Sequence, residues 1–88
     1  MKIAYLTVAR EEIREAAEYY AAISPELGNA FKRELRRLLR RVGAGLRKCL
    51  LSRFPYMVIY APLPGEVLVL AVGHQHRKPD YWRDRVMK

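Results

Sequence analysis

Two apolar runs near the C-terminal end constrain the fold of this 88-residue chain more than any other feature. They occupy residues 56–61 and 66–72, and Pro62-Leu63-Pro64-Gly65 separates them. Both runs favour strands, and a spacer that contains proline and glycine is typical of a hairpin turn. Because both runs are apolar on both faces, they predict central strands with helices over one side of the sheet. The other side is then expected to be partly hydrophobic too.

The first third of the chain predicts a short strand and an amphipathic helix. Residues 2–6 are apolar and include Ile3 and Tyr5, so they predict an opening strand. Thr7 is expected to cap the helix that follows, in which apolar residues recur at helical spacing and acids occupy the other face. Acids in the first turns suit the positive end of the helix dipole. The apolar positions are Ile13, Ala16, Ala17 and Tyr20, and the acids include Glu11, Glu12, Glu15 and Glu18.

A second helix is predicted to begin at Ser24-Pro25-Glu26, after a very short turn. These residue types suit a cap, a first helical residue and an early acid. An apolar stripe then follows one side of the helix while cations fill the other, so the two helices are expected to form a hairpin. The stripe consists of Leu27, Phe31, Leu35, Leu38, Leu39 and Val42.

The pattern changes from helix to strand after Gly43-Ala44-Gly45, which is expected to end the second helix. Residues 46–54 then predict the first of three strands joined as antiparallel hairpins. Repeats, linkers and low-complexity segments are absent from the sequence. We therefore predict one α+β domain over residues 1–88, of order βααβββ with a short C-terminal tail.

The charge of the chain is strongly positive and unevenly placed. Seventeen Lys and Arg against nine Asp and Glu give a formal charge of +8. Most acids lie in the first third, and a dense group of cations follows. This field favours phosphate backbones or acidic protein surfaces, and solubility alone is a further explanation. The cations are Lys32, Arg33, Arg36, Arg37, Arg40, Arg41, Arg47, Lys48 and Arg53.

The cysteine and hydropathy patterns indicate a cytoplasmic protein. Cys49 is the only cysteine, so an internal disulfide is excluded, and its apolar neighbours predict a buried small side chain. No apolar stretch is long enough to span a bilayer, and the opening residues lack the pattern of a signal peptide. We expect a soluble protein in a reduced compartment, without a membrane partner.

The tail after the last strand carries most of the residues with candidate chemistry. A metal site is not favoured, because His74 and His76 have no evident third ligand. Metal-independent RNA cleavage needs a base, an acid and cations, which His74, Arg77, Arg53 and Tyr81 can supply. Alternatively, Tyr81 and Trp82 pack the tail onto the sheet, and His74 closes a strand by hydrogen bonding. With Trp82 as a target contact of the tail, Trp82→Ala is expected to spare the fold.

An Arg53-Phe54-Pro55-Tyr56 strand entry, followed by a His-containing basic ending that closes on Tyr81, resembles the RelE/ParE superfamily of type II toxins, and more closely its ParE side. The resemblance covers nearly the whole chain. It implies a helical hairpin packed on a twisted antiparallel sheet, preceded by an N-terminal strand. The segments that carry the resemblance are residues 12–20, 24–31, 53–60 and 70–82.

The resemblance implies the toxin component of a toxin–antitoxin system, with roles in growth arrest and plasmid stabilization. RelE-like members cleave messenger RNA in the ribosome, whereas ParE-like members poison DNA gyrase. The two activities share one scaffold, so the fold alone does not choose between them. An antitoxin is expected to cover the sheet and helix surfaces in a toxin–antitoxin hetero-oligomer, and no cofactor is expected.

Residue matching favours the DNA gyrase inhibitor over the nuclease. RelE-like nucleases place an arginine directly after the strand tyrosine, where this chain has Met57, and a cation where it has Gln75. Arg77 and Tyr81 match the nuclease tail, and Lys48 matches one basic strand position. If the chain is a metal-independent mRNA endoribonuclease, the resemblance implies a catalytic set of Lys48, Arg53, His74, Arg77 and Tyr81.

A target-binding surface is predicted on the second helix and the tail. The antitoxin is expected to offer an acidic amphipathic segment, because the surface combines apolar sheet with arginine-rich rims. The connection at residues 43–45 is shorter than in relatives, so a shortened, non-toxic antitoxin-binding relative is a third hypothesis. The predicted target-binding residues are Arg33, Arg36, Arg37, Arg40, Arg41, His74, His76, Arg77, Lys78, Tyr81 and Trp82.

Overall fold

A computed structural model of the chain describes residues 2–41, 47–77 and 81–85. Its elements confirm the predicted order βααβββ and the α+β class. A short 3₁₀ helix follows the last strand. The elements are β1 (Lys2–Tyr5), α1 (Thr7–Ile23), α2 (Pro25–Leu39), β2 (Arg47–Leu50), β3 (Tyr56–Leu63), β4 (Glu66–His74) and the 3₁₀ helix Arg83–Arg85.

The four strands form one sheet in the order β1-β4-β3-β2. The strands β2, β3 and β4 pair antiparallel, as predicted, but β1 pairs with β4 in parallel. The sheet is therefore mixed. Parallel strands need a long connection between them, and the helical hairpin carries the chain across the sheet between β1 and the later strands. The β3–β4 turn consists of Pro64 and Gly65 alone, and the positive φ of 74° at Gly65 suits a glycine. The turn is shorter than predicted, since Pro62 and Leu63 belong to β3.

The start of α1 differs from the sequence-based expectation. The helix begins at Thr7 with Leu6 as its N-cap, and no side chain caps it. Leu6 donates its backbone N–H to Val69 and accepts one from Arg10, so a single residue joins β1 to α1. The prediction that Thr7 caps the helix was wrong for this reason, and the first turn also holds no acid.

The start of α2 confirms the prediction. The Ser24 hydroxyl accepts a hydrogen bond from the Glu26 backbone N–H at 3.2 Å, and Pro25 is the first helical residue. The helix ends at Leu39, earlier than predicted, and the Gly43-Ala44-Gly45 segment lies outside the described residues.

The strand predicted over residues 46–54 is shorter in the structure. After Leu50 the chain bends, and Phe54 turns into the core with 5% of its surface exposed. Pro55 has no backbone N–H for a ladder hydrogen bond, so it interrupts strand pairing at this bend. The bend closes through the Leu51 N–H, which donates to the Tyr56 carbonyl at 3.0 Å.

One face of the sheet packs against the helices and forms the main core. The α2 stripe predicted from sequence supplies Phe31, Leu35 and Leu39 to this core. Phe31 lies 5.3 Å from Phe54 between ring centroids, in an edge-on arrangement. Val42 of the predicted stripe lies outside the described residues.

The opposite face of the sheet carries a second apolar cluster, which confirms the expectation of a partly hydrophobic second face. Ile59, Leu70 and Ala71 are buried there, and Trp82 from the C-terminal segment covers them with only 5% of its own surface exposed. The expectation that Trp82→Ala spares the fold is therefore contradicted, because this side chain belongs to the core. The half-buried Cys49 lies on β2, with its sulfur 3.7 Å from the Tyr60 hydroxyl.

Candidate functional site

The turn after β4 presents the histidines of the tail. His74 is the last residue of β4, and its Nδ1 accepts a hydrogen bond from the His76 backbone N–H at 3.1 Å. In the neutral ring the proton therefore lies on Nε2. The Gln75 N–H donates to the Pro55 carbonyl at 2.8 Å, which ties this turn to the bend before β3. The alternative interpretation, in which His74 closes the strand by hydrogen bonding, agrees with this geometry.

Behind this turn, Glu12 of α1 forms the most connected ionic group in the described part of the chain. Its side chain is only 10% exposed. Oε1 accepts from the Val72 backbone N–H at 3.0 Å and from Arg85 Nη1 at 2.9 Å. Oε2 accepts from Arg77 Nη1 at 2.7 Å and from Arg85 Nη2 at 3.0 Å. One carboxylate thus fixes β4, the turn after it and the C-terminal segment.

The shortness of β1 explains why a carboxylate is needed there. Pairing between β1 and β4 ends at Tyr5 and Val69, so no strand of the described residues lies beside the next part of β4 on that edge. Arg85 donates to the Leu70 carbonyl at 2.9 Å, and Glu12 accepts from the Val72 N–H. Buried backbone groups need such partners, so two side chains replace the missing strand.

The protonation of Glu12 follows from these contacts. Burial alone raises the pKa of the carboxyl, but the hydrogen bonds from Arg85 and Val72, with the charges of Arg85 and Arg77, lower it below its ordinary value. Hydrogen bonding to Glu12 in turn raises the pKa of Arg85. The Glu12 carboxylate is therefore ionised at neutral pH, and its negative charge is balanced by Arg77 and Arg85.

Tyr81 is held between the same two arginines. The Arg77 guanidinium carbon lies 3.8 Å from the ring centroid, and that of Arg85 lies 5.2 Å away. The Tyr81 hydroxyl is buried, and no described residue forms a hydrogen bond with it. Burial, followed by the charge of Glu12, raises the pKa of Tyr81. The hydroxyl also lies where a Cβ at Gly73 would be, so the glycine makes room for it.

The nuclease candidates do not converge in the structure. Arg77 and Tyr81 lie together beside the His74 turn. Lys48 lies on the edge strand β2, which β3 separates from β4, with Nζ 5.7 Å from the Trp82 ring centroid. Arg53 lies in the bend before β3, with its guanidinium carbon 5.9 Å from the Phe54 ring centroid.

The cations of α2 fall into two rows that line different grooves. Arg33, Arg37 and Arg41 line a groove between α2 and β2, which we call the α2–β2 groove and which has a cavity of about 300 Å³. Lys32 and Arg36 instead line a groove of about 310 Å³ between α2 and α1. Arg40 is exposed beyond the end of α2. From the sequence, these cations were predicted to occupy a single face of the second helix.

Two of the predicted target-binding residues, Trp82 and Lys78, are not among the exposed residues that the structure describes. Trp82 is buried in the second apolar cluster, so its ring is not an exposed contact surface. The alternative interpretation, in which the tail packs onto the sheet, agrees with its position. Lys78 lies outside the described residues.

Sequence reasoning missed Glu12 because it assigned this residue to the solvent face with the other acids. A signal was present, since Glu12 lies three residues after Ala9 and four before Ala16, both of which are buried. An acid on the apolar stripe of a helix predicts a buried ionic partner.

Across the three described ranges, no three His, Cys, Asp or Glu side chains come together in a way that suits a metal ion. The same ranges contain no helix with the length and apolar character needed to cross a bilayer.

The similarity of this chain to known proteins lies in its fold. No protein-family model matches the chain, and no curated protein matches it. Among solved structures, the chain is similar to one from the "Chromosomal ParDE TA system from P. aeruginosa", with a TM-score of 0.67 and 18% sequence identity. The match covers 84% of this chain and 95% of that chain. The predicted fold, a strand and a helical hairpin followed by three strands, is thereby confirmed.

Proposed function

We propose that this chain is the toxin of a type II toxin–antitoxin system, of the ParE kind that inhibits DNA gyrase, and that a cognate antitoxin neutralises it in the cytoplasm. The observation that carries the proposal is the fold shared with a chain of a ParDE TA system over 84% of the residues. Fold alone does not define activity, so the choice between targets rests on the site. The proposed activity uses no cofactor and is inhibition by binding.

The chemistry of the tail supports binding over RNA cleavage. Arg77 is paired with Glu12, so its charge is already engaged within the protein. The Tyr81 hydroxyl is buried and its pKa is raised, which makes it a poor proton donor or acceptor for a substrate at neutral pH. Lys48 lies on β2, and β3 separates that strand from β4. These positions do not assemble the base, acid and cations that cleavage of a ribose-phosphate bond needs.

A binding surface for the target remains on the same side of the molecule. His74, Gln75 and His76 are exposed in the turn, and Tyr19 of α1 is 62% exposed nearby. Tyr19, Tyr56, His74 and Arg77 line a cleft of about 300 Å³ between α1 and the end of β4. Exposed aromatic rings beside an arginine are typical of protein contact surfaces.

The experiment that tests the proposal is a supercoiling assay with purified DNA gyrase and purified chain. We expect inhibition of supercoiling and accumulation of cleaved DNA, both reversed by the cognate antitoxin. Unchanged gyrase activity together with cleavage of ribosome-bound messenger RNA would assign the chain to the endoribonuclease alternative. Unchanged gyrase and intact messages, with normal antitoxin binding, would assign it to the non-toxic alternative.

A further inference from the structure

The α2–β2 groove is lined by four arginines. Arg33 and Arg37 line it from α2, Arg41 lines it from the turn directly after the helix, and Arg53 lines it from the bend before β3. Helical residues four apart lie on one face, so Arg33 and Arg37 form a row, and Arg41 extends it in the same groove beyond the helix end. The floor between this row and Arg53 is apolar. It consists of Leu38, Leu50 and Leu51.

The one acid in this groove is already engaged. Oε2 of Glu34 accepts hydrogen bonds from the Ser52 hydroxyl and from the Arg53 backbone N–H, each at 3.1 Å, and from the Ser52 backbone N–H. Glu34 thereby holds the bend against α2. Over residues 2–41, 47–77 and 81–85, no carboxylate lies within ion-pair distance of Arg33, Arg37, Arg41 or Arg53.

The groove between α1 and α2 differs in this respect. Its Arg14 pairs with Glu11 at 2.6 Å and with Glu18 at 3.1 Å. Part of its positive charge is therefore paired within the protein, whereas the arginines of the α2–β2 groove form no ion pair with a described carboxylate. The two grooves share the helix α2, so adjacent residues such as Arg36 and Arg37 serve different surfaces.

The floor of the α2–β2 groove decides what kind of partner fits. Leu50 is 53% exposed, although it is a large apolar residue on a strand. A phosphate backbone would satisfy the arginines but would leave this leucine in water. A protein segment that carries both carboxylates and apolar side chains would satisfy both, because carboxylates bind guanidinium groups in bidentate pairs and apolar side chains cover the floor.

We infer that the α2–β2 groove is the docking site for an acidic segment of a partner protein, with carboxylates on the arginine row and an apolar side chain over Leu50. The inference rests on the proposed function in one respect, since the partner it describes is the antitoxin. It deepens that function by choosing this groove over the one between α1 and α2. Encounter with the segment is accelerated by the charge of the row.

Adjacent arginines on α2 allow a matched test. The probe is a short fluorescein-labelled peptide of glutamate and leucine, and binding is followed by fluorescence anisotropy at physiological ionic strength. Arg37→Glu is expected to weaken binding about tenfold or more, since it removes a charge-assisted contact and adds repulsion. Arg36→Glu makes the same change in charge one residue away, on the other groove, and is expected to weaken binding less than about threefold. Both side chains are exposed, so both variants should melt like the parent protein.

A second pair of variants tests the floor. Leu50→Ser is expected to weaken binding of the peptide, whereas Leu63→Ser, which changes another exposed leucine at the end of β3, is not. A single-stranded oligonucleotide of matched charge serves as the competing probe. This pair keeps the inference testable if charge reversal at Arg37 alters the fold.

Equal losses for Arg36→Glu and Arg37→Glu would overturn the inference, because they would show attraction by net charge alone. Absence of peptide binding to the parent protein, or a selective effect of Arg37→Glu on the oligonucleotide, would also overturn it. The peptide assay does not use gyrase. Inactivity toward gyrase with selective loss of peptide binding in Arg37→Glu would therefore reject the proposed target and retain the docking site.

Discussion

Glu12 and Arg85, 73 residues apart in sequence, form a two-point hydrogen-bonded ion pair at 2.9 and 3.0 Å. The pair joins the second turn of α1 to the end of the C-terminal 3₁₀ helix. Arg77 adds a third contact to the same carboxylate at 2.7 Å. The tail that carries the candidate target surface is thus held by an acid on the first helix.

Glu12→Gln is expected to destabilise the protein by about 2–4 kcal/mol, because a neutral amide leaves two arginines without their carboxylate. The measurement is the free energy of unfolding in urea. Glu15→Gln is the control, since this exposed glutamate of the same helix pairs with no described residue, and its change is expected to stay within about 0.5 kcal/mol. Similar losses in both variants would contradict the structural role of Glu12.

The ion pair also predicts a pH dependence. The pKa of Glu12 in the folded state lies below its ordinary value of 4.5, so folding favours the ionised form. Its contribution to stability is therefore complete above that ordinary value and is lost as the pH falls through the folded-state pKa. The partners Arg77 and Arg85 stay charged throughout this range.

The difference in unfolding free energy between the parent protein and Glu12→Gln isolates this effect. We expect that difference to be constant above about pH 6 and to shrink as the pH is lowered below about 4.5. A difference that stays constant down to the acid unfolding transition would contradict the assignment.

Trp82→Ala is expected to cost about 3–5 kcal/mol, since it opens a cavity against Ile59, Leu70 and Ala71. Trp82 is the only tryptophan, so its fluorescence reports directly on this cluster. Weak quenching by acrylamide in the parent protein is the accompanying expectation. Tyr19→Ala removes an aromatic ring that is 62% exposed and serves as the control, with a loss of about 0.5 kcal/mol or less. Equal melting temperatures for the two variants would place Trp82 outside the core.

Gly73→Ala is expected to destabilise the protein by about 1–3 kcal/mol, because the new methyl group overlaps the Tyr81 hydroxyl. Removing that hydroxyl should relieve part of the overlap. Gly73→Ala combined with Tyr81→Phe is therefore expected to be more stable than Gly73→Ala alone, as measured by urea unfolding. Additive effects of the two changes would show that the ring does not lie against Gly73.

Local patterns were sufficient to predict much of the fold. The α2 stripe of Phe31, Leu35 and Leu39 follows from helical periodicity, and the Ser24 cap follows from residue type. The two hairpin strands also follow from their composition. These features depend on residues that are close together in sequence, so periodicity and residue type are sufficient to predict them.

The features that were missed depend on contacts between distant residues. Parallel pairing of β1 with β4 joins residues more than sixty positions apart, as in Lys2 with Glu66. The Glu12 contacts span similar separations. The sequence of the tail has no periodicity that indicates which of its side chains are buried. Trp82 was therefore predicted to be an exposed aromatic contact. The division of the α2 cations into two rows likewise needs the position of β2 beside the helix.

The central claim is that the chain stops growth through DNA gyrase, and the most direct measurement is induction of the chain alone in a bacterial host. Incorporation of labelled thymidine and of labelled amino acids is followed over the first minutes after induction. We predict that thymidine incorporation falls first while amino-acid incorporation continues. An earlier fall in amino-acid incorporation, or no fall in either, would contradict the claim.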